Sequence, residues 1–368
     1  TNSWYHIVLR VDTTLGTAGD RIRLYVNGVE ETVFDTETQV AQNYDTYSNY
    51  ATKVIKIGSS NFDGCMSHIH FADGSSLAPT VFGSVDSVTG EWQINTSPSF
   101  TPGTNGFTIL KDGNTITDQS ANSNNFSLGA GTLTNSKDCP SNVLATWNPL
   151  STVSYKQPSN PIVFSNGATS LLENGGQYKN ATSTIGAFTG KYYFETKMIS
   201  PNNSLAESTY VGVVTSTAQA LVGDTFNHVG YTSESVGYNS YAGQVFTSDS
   251  GSNYGAALAN GDILGVALDI TNLKVYFSKN GTWQNSGNPA SGSTGTGAVS
   301  LPSTGDAWLF GGSPRNSSFQ SNFGNGFFGT TAITTNSGNG YAGAEGASKF
   351  NYQPPSGYSA LSTKGLNQ

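Results

Sequence analysis

The chain has 368 residues, only 11% of them charged, with a formal net charge of −8 and a pI of about 4.9. An acidic, charge-poor surface excludes wrapping on nucleic acid or an anionic membrane, since both need a basic patch. No apolar run approaches the roughly 18 residues that cross a bilayer, so membrane insertion is not expected.

Forty-four glycines, 13 prolines and 11% aromatics, with short apolar alternations and no sustained helical period, predict an all-β chain of about two domains. Helix is expected to stay below about a tenth. In "WYHIVLRV", Tyr5, Ile7, Leu9 and Val11 share one face and Trp4, His6 and Arg10 the other. That is the period of a half-buried strand, with the first set turned inward. "RIRLYVNGVEE" puts Ile22, Leu24 and Val26 inward and then turns at Asn27-Gly28, a hairpin signal. "KVIKIGSS" and "CMSHIHFADG" repeat the rhythm of strand and turn. Residues 94–150 are polar and turn-rich, with one apolar run at Phe107–Leu110, and read as a last strand or two followed by a connector.

A fresh series opens at "GKYYFETKM" (190–198) and continues through "TYVGVVTS", "VGYNSYAGQVF", "GDILGVALDITNLKVYFSKNGTW" and "AWLFGG". Leu264, Val266, Leu268 and Ile270 form its apolar face, opposite the small residues Gly265 and Ala267, which let another layer approach. Asn280-Gly281 marks a second tight hairpin.

The titratable residues give little chemistry. Retaining glycosidases need two carboxyls about 5–5.5 Å apart, and the same-face spacings Glu-x-Asp-x-x-x-Glu and Glu-x-Asp-x-x-Glu do not occur. Glu30, Glu31, Asp35 and Glu37 sit beside a hairpin, where a solvated turn accounts for them. His68 and His70 could share a face, but no third ligand supports them on that strand, and polar outward positions explain both. The glycine-rich runs lack the Gly-Lys-Thr ending of a phosphate loop. No catalytic residue, metal site or cofactor is expected. Sequons such as Asn180-Ala-Thr182 and Asn316-Ser-Ser318 are no more than chance supplies in a chain so rich in Asn, Ser and Thr. Cys65 and Cys139 are too few for a disulfide scaffold and the wrong number for structural zinc; they are one pair or two inert thiols.

Two resemblances organise these observations. "WYHIVLRVDTT", "DRIRLYVNGV", "IGSSNFDGCMSHIHFADGSSLAPTVFGSVDSVTGEW" and "GTNGFTIL", in that order, resemble the laminin-G-like, concanavalin-type jelly rolls of bacteriophage virion proteins. In that family the Trp-Tyr-His strand lies mid-domain, so residues 1–93 resemble the second half of a jelly roll. The inward face of Trp4–Val11 is then expected to be left ragged, or to be covered by strands from elsewhere. The resemblance also makes Cys65 and Cys139 departures from an aromatic and a small hydroxyl residue, which suggests them as a disulfide candidate beside the alternative of two buried thiols. "YYFET", "VGV", "GDILGVALDITNLKVYFSKNGTW", "NFGNGFF" and "FNYQPPSGYSALST" are similar to the SPRY fold, a compact β-sandwich, in its phage-associated version. "NPIVFSNGATSLLENGG" fits its opening strands.

The expected architecture is all-β, two β-sandwich domains in tandem: 1–145, the C-terminal part of a laminin-G-like jelly roll plus connector, and 146–368, a SPRY-like sandwich. The expected function is non-enzymatic, a structural or adhesion protein on the virion surface of a tailed phage. It would bind a host-surface glycan or protein, or neighbouring virion subunits, and assemble as a homo-oligomer. Alternatives are a tail-associated polysaccharide-degrading enzyme and a secreted bacterial surface adhesin. A eukaryotic SPRY adaptor is disfavoured, since no RING, B-box or coiled-coil segment is visible. Loop aromatics are the candidate ligand contacts, because rings supply area at low entropy cost: Tyr238, Tyr241 and Trp283.

Overall fold

A computed structural model describes residues 4–47, 53–58, 62, 64–87, 90, 92–111, 115–130, 133, 135–151, 161–200, 209–220, 227–333 and 340–367. The chain divides into two compact units, Ser3–Asn135 and Ser136–Gln368. Among the described residues there is no α-helix, only short 3-10 turns, and no helix long and apolar enough to cross a membrane.

The first unit carries strands β1 (Ile7–Val11), β2 (Ile22–Val26), β3 (Val29–Glu30), β4 (Ile69–Phe71), β5 (Gly83–Val85), β6 (Trp92–Ile94) and β7 (Phe107–Ile109). They pair as a three-stranded sheet β1-β2-β3 and two ribbons, β4-β7 and β5-β6, all antiparallel. The β2–β3 turn has Asn27 at φ 49° and Gly28 at φ 79°, the left-handed pair that a two-residue hairpin demands. A side chain at Gly28 would also strike the Trp92 ring.

The alternation in β1 is as expected, but its direction is reversed. Ile7 is 64% and Leu9 63% exposed, and Val29 on the neighbouring hairpin is exposed as well. The covered face is the other one. There His6 stacks on Trp92 with centroids 5.8 Å apart and accepts Trp92 Nε1–H at 2.9 Å. Arg10 donates to the Tyr25 hydroxyl and to the Ser76 carbonyl, each at 3.3 Å, and Tyr25 is buried. Rings and a guanidinium on that face find both packing and hydrogen-bond partners within the unit, whereas the aliphatic face meets no second layer among the described residues.

His70 also departs from the outward position expected of it. Its ring lies between Phe82 (5.6 Å) and Phe100 (5.7 Å), with Nδ1 2.9 Å from Thr108 Oγ1, and burial lowers its pKa to about 4. Further along, Asp118 closes a turn by accepting from the backbone N–H groups of Thr108, Ser120 and Asn124 at 2.8–2.9 Å.

The second unit continues with β8 (Val163–Ser165), β9 (Ser170–Glu173), β10 (Ala181–Thr182), β11 (Lys191–Ser200), β12 (Tyr210–Thr215), β13 (Ser235–Asn239), β14 (Gln244–Thr247) and β15 (Ser250–Asn253). It is completed by β16 (Ile263–Asp269), β17 (Lys274–Lys279), β18 (Thr282–Trp283), β19 (Val299–Ser300), β20 (Trp308–Ser313), β21 (Ser317–Asn322), β22 (Phe327–Phe328), β23 (Thr331–Ala332) and β24 (Ser359–Ala360). One sheet runs β10-β20-β12-β13-β14-β15. The other runs β18-β17-β16-β11-β21-β9-β8, with β19 on β17 and β24 parallel to β11.

Leu264, Val266 and Leu268 of β16 join Phe194, Phe277, Val211, Val213, Val236 and Phe310 in the core between these sheets. Ala267 faces the other way, into a second cluster with Tyr193, Tyr276, Phe350 and Tyr358. The small residues of β16 are thus where the C-terminal segment lies against the outer face of the sheet. Glu195 fixes that segment. Its buried carboxylate accepts from Asn351 N (2.8 Å), Tyr352 N (2.7 Å), the Tyr193 hydroxyl (3.1 Å) and Asn322 Nδ2 (3.3 Å). Burial raises its pKa to about 7 although each of those donors pulls the other way.

The division falls at 135/136 rather than at 145/146, because the stretch read as connector packs into the second unit. Trp147 is fully buried, donates Nε1–H to Ser321 Oγ at 3.1 Å and meets Phe194, Phe319 and Phe323 edge to face. Ala145 N donates to Leu361 O at 2.8 Å. Cys65 accordingly stands in the first unit and Cys139 in the second, and no disulfide joins them.

Candidate binding site

Loops gather at the strand ends of the second unit in two places. In the first, the β15–β16 connection is laced to its neighbours: Gly255 N to Gly243 O (2.8 Å), Leu258 N to Ser240 O (2.7 Å), Ala256 N to Gln284 Oε1 (3.1 Å) and Lys279 Nζ to Ala257 O (2.7 Å). Tyr238 belongs to this bracing and not to the surface. It is 1% exposed and its hydroxyl donates to Ala256 O at 2.5 Å. A ring so enclosed offers nothing to a ligand. Trp283 is half-buried and leans edge-on against Tyr193 at 6.4 Å, on the outer face of the larger sheet. Tyr241 is 39% exposed, at a turn where Asn239 Oδ1 accepts from Tyr241 N and Ala242 N. The three aromatics therefore do not form one patch: one is core, one covers a sheet, and Tyr241 alone keeps much of its ring in solvent.

The second place is a cleft of about 350 Å³ between residues 183–190, 270–273 and 301–307, within the size range of small-ligand sites. Its floor is Trp308 and Ile270, both buried, and its wall is Phe188, 71% exposed. Thr271, Ser303, Thr304 and Asp306 add hydroxyls and a carboxylate. The three loops are tied together by Ile270 N to Gly190 O (2.9 Å), Gly190 N to Thr271 Oγ1 (3.2 Å), Leu301 N to Leu273 O (2.9 Å) and the reciprocal Ala187–Trp308 pair (3.0 and 2.8 Å). Asp306 Oδ1 accepts the Thr217 hydroxyl at 2.9 Å. No aromatic-rich loop marks this site in the sequence, since its aromatics are the isolated Phe188 and Trp308. The available signal is a lone Phe in "GAFTG", where an apolar ring follows no strand alternation.

The buried carboxylates are engaged in holding the fold. Glu173 accepts from Gly175 N and Asn316 N, Glu195 from its four donors, and Asp269 pairs with Lys191 at 3.2 Å and accepts from Asn272. Among the described residues no group of three or more His, Cys, Asp or Glu could hold a metal ion.

The comparisons with known proteins bear on this second, all-β unit. The SPRY domain model matches residues 191–298, from the first residue of β11 to the residue before β19. Ran-binding protein 9 of Danio rerio is 32% identical over 103 residues, which are 27% of this chain and 16% of that protein. Among solved structures, the SPRY domain of human HERC1 is 18% identical (44% of this chain and 91% of that one, TM-score 0.34) and a human SPRY domain is 17% identical (44% and 93%, TM-score 0.32). Residues 191–298 of the second unit are thus the part of the chain that matches the SPRY domain.

Proposed function

We propose that this chain is a non-enzymatic structural and adhesion component on the surface of a tailed-phage particle, with its SPRY unit contacting a host-surface protein or glycan or a neighbouring virion subunit. The observation that carries the binding part is the open cleft at Phe188, built on loops whose own hydrogen bonds already hold them in place. A preformed site loses little entropy on binding. The placement on a virion rests on the ordered likeness of both regions to phage modules, and a surface of Ser, Thr, Asn and Gly with few charges suits a protease-exposed fibre. The likeness to Ran-binding protein 9 is compatible with the same kind of contact.

The test is adsorption. Purified chain displayed on beads should bind host cells, and replacing Phe188 and Asp306 by alanine should reduce that binding or the assembly of particles. Host polysaccharide incubated with the chain should release no reducing sugar. Release that disappears when one carboxylate is replaced by its amide would make the polysaccharide-degrading alternative the correct one.

A further inference from the structure

We propose that the cleft at Phe188 receives a lysine or arginine side chain of a protein partner, its aliphatic stem along the Phe188 ring and its cationic head at Asp306. This rests on the reading of the second unit as a binding module and specifies what the cleft selects.

The first observation is the wall. Phe188 leaves most of its ring in solvent while the side chains below it, Ile270 and Trp308, are buried. An apolar shelf with a closed floor can take a stem of methylenes but no bulky core. The second is the charge at its rim. Asp262 pairs with Lys279 at 2.9 Å and Asp269 with Lys191 at 3.2 Å. Asp306, only partly buried, has the Thr217 hydroxyl on one oxygen and makes no ion pair among the described residues.

A carboxylate beside an apolar shelf loses solvation when the shelf is covered, and only a cation brought by the partner offsets that cost. A purely aliphatic ligand would leave the charge stranded. The face of an aromatic ring also attracts a cation, so both features of the cleft favour the same side chain. The acidity of the whole chain, −8 overall, works in the same direction by drawing basic partners. The hydroxyls of Ser303 and Thr304 lie alongside as acceptors for further N–H groups.

The test uses the full chain, isotope-labelled, titrated with Nα-acetyl-arginine N-methylamide, its uncharged counterpart Nα-acetyl-norleucine N-methylamide, and methyl glucoside. The arginine probe should shift the resonances of Phe188, Leu273 and Asp306, and binding should weaken as salt is raised. Norleucine should bind at least about fivefold more weakly. Asp306→Asn and Phe188→Ala should each weaken the arginine probe by about tenfold with the spectrum otherwise native, whereas Tyr241→Ala should leave its affinity unchanged. Equal response to arginine and norleucine, an affinity indifferent to Asp306→Asn, or a response to methyl glucoside alone would overturn the assignment. If those results came with host-cell adsorption intact, the basic-side-chain assignment would fall and the binding reading would stand. If adsorption were absent while arginine still bound the cleft, the reverse would hold.

Discussion

The strand of the first unit that opens the described chain and the central strand of the second carry the same pattern with opposite outcomes. In β16 every second residue, Leu264, Val266 and Leu268, is completely buried; in β1 the equivalent set, Ile7 and Leu9, lies mostly in solvent. Alternation separates two faces of a strand, but which face is interior depends on whether a second layer exists to meet it. In the second unit two sheets face each other and a C-terminal segment covers the outer side of one. In the first, a ribbon carrying Trp92 packs on the side of β1 that bears rings and Arg10.

The sharpest way to break this comparison is to place a charge on each face. Val266→Asp should unfold the second unit, costing more than about 4 kcal/mol, since an unpaired carboxylate would lie between two sheets. Leu9→Asp should change stability by less than about 1 kcal/mol and reduce self-association, read by thermal melting and light scattering. A loss for Leu9→Asp as large as that for Val266→Asp would mean that the aliphatic face is covered in solution. Next in size, Trp147→Ala should cost about 3–5 kcal/mol in the second unit alone, as expected of a core residue supplied by the stretch that precedes the sandwich.

The two units should also answer pH in opposite senses. Glu195 has its folded pKa raised from 4.5 to about 7, so the folded state holds the proton more tightly than the unfolded chain. The stability it confers is present below pH 4.5 and lost as pH rises toward 7. His70 has its folded pKa lowered from 6.5 to about 4, so the first unit loses stability as pH falls from 6.5 toward 4. Urea melts followed by methyl NMR resonances of each unit between pH 4 and 8 should show the slopes crossing, with Glu195→Gln flattening the one and His70→Phe the other. Parallel slopes would show that neither group governs its unit. The smallest effect expected is at the residues first singled out as contacts. Tyr238→Phe should lose about 1 kcal/mol with its hydrogen bond to Ala256, and Tyr241→Ala should stay within about 0.5 kcal/mol.

Local features of the fold were legible in the residues themselves. Asn27-Gly28 and Asn280-Gly281 take the left-handed angles their turns require, and β16 has the faces its pattern implies. The burial of Tyr238 agrees with its parity with Val236 in "SVGYN", since both face Val211 and Val213 across the β12–β13 pair. A tyrosine near a loop suggests contact as readily as packing, so the parity alone does not decide between them. The direction of β1, the inward turn of His70 and the place of Trp147 depend on elements distant in sequence, and no local pattern reports them. The cleft was illegible for the same reason: Phe188, Ile270 and Asp306 come from three separate loops.

The clasp of Glu195 on Asn351 and Tyr352 joins residues 156 and 157 positions apart, and β24 pairs with β11 over a similar span. During synthesis, β11 would leave the ribosome long before its covering segment is made, with Tyr193 and Ala267 still bare on the outer face of the sheet. At roughly 5–20 residues per second, the nascent sandwich would wait on the order of ten seconds for the piece that closes it. Its assembly on the ribosome is therefore paced by translation of residues 350–360, and a stalled ribosome would hold an uncovered sheet face at the mouth of the exit tunnel, a natural substrate for a chaperone.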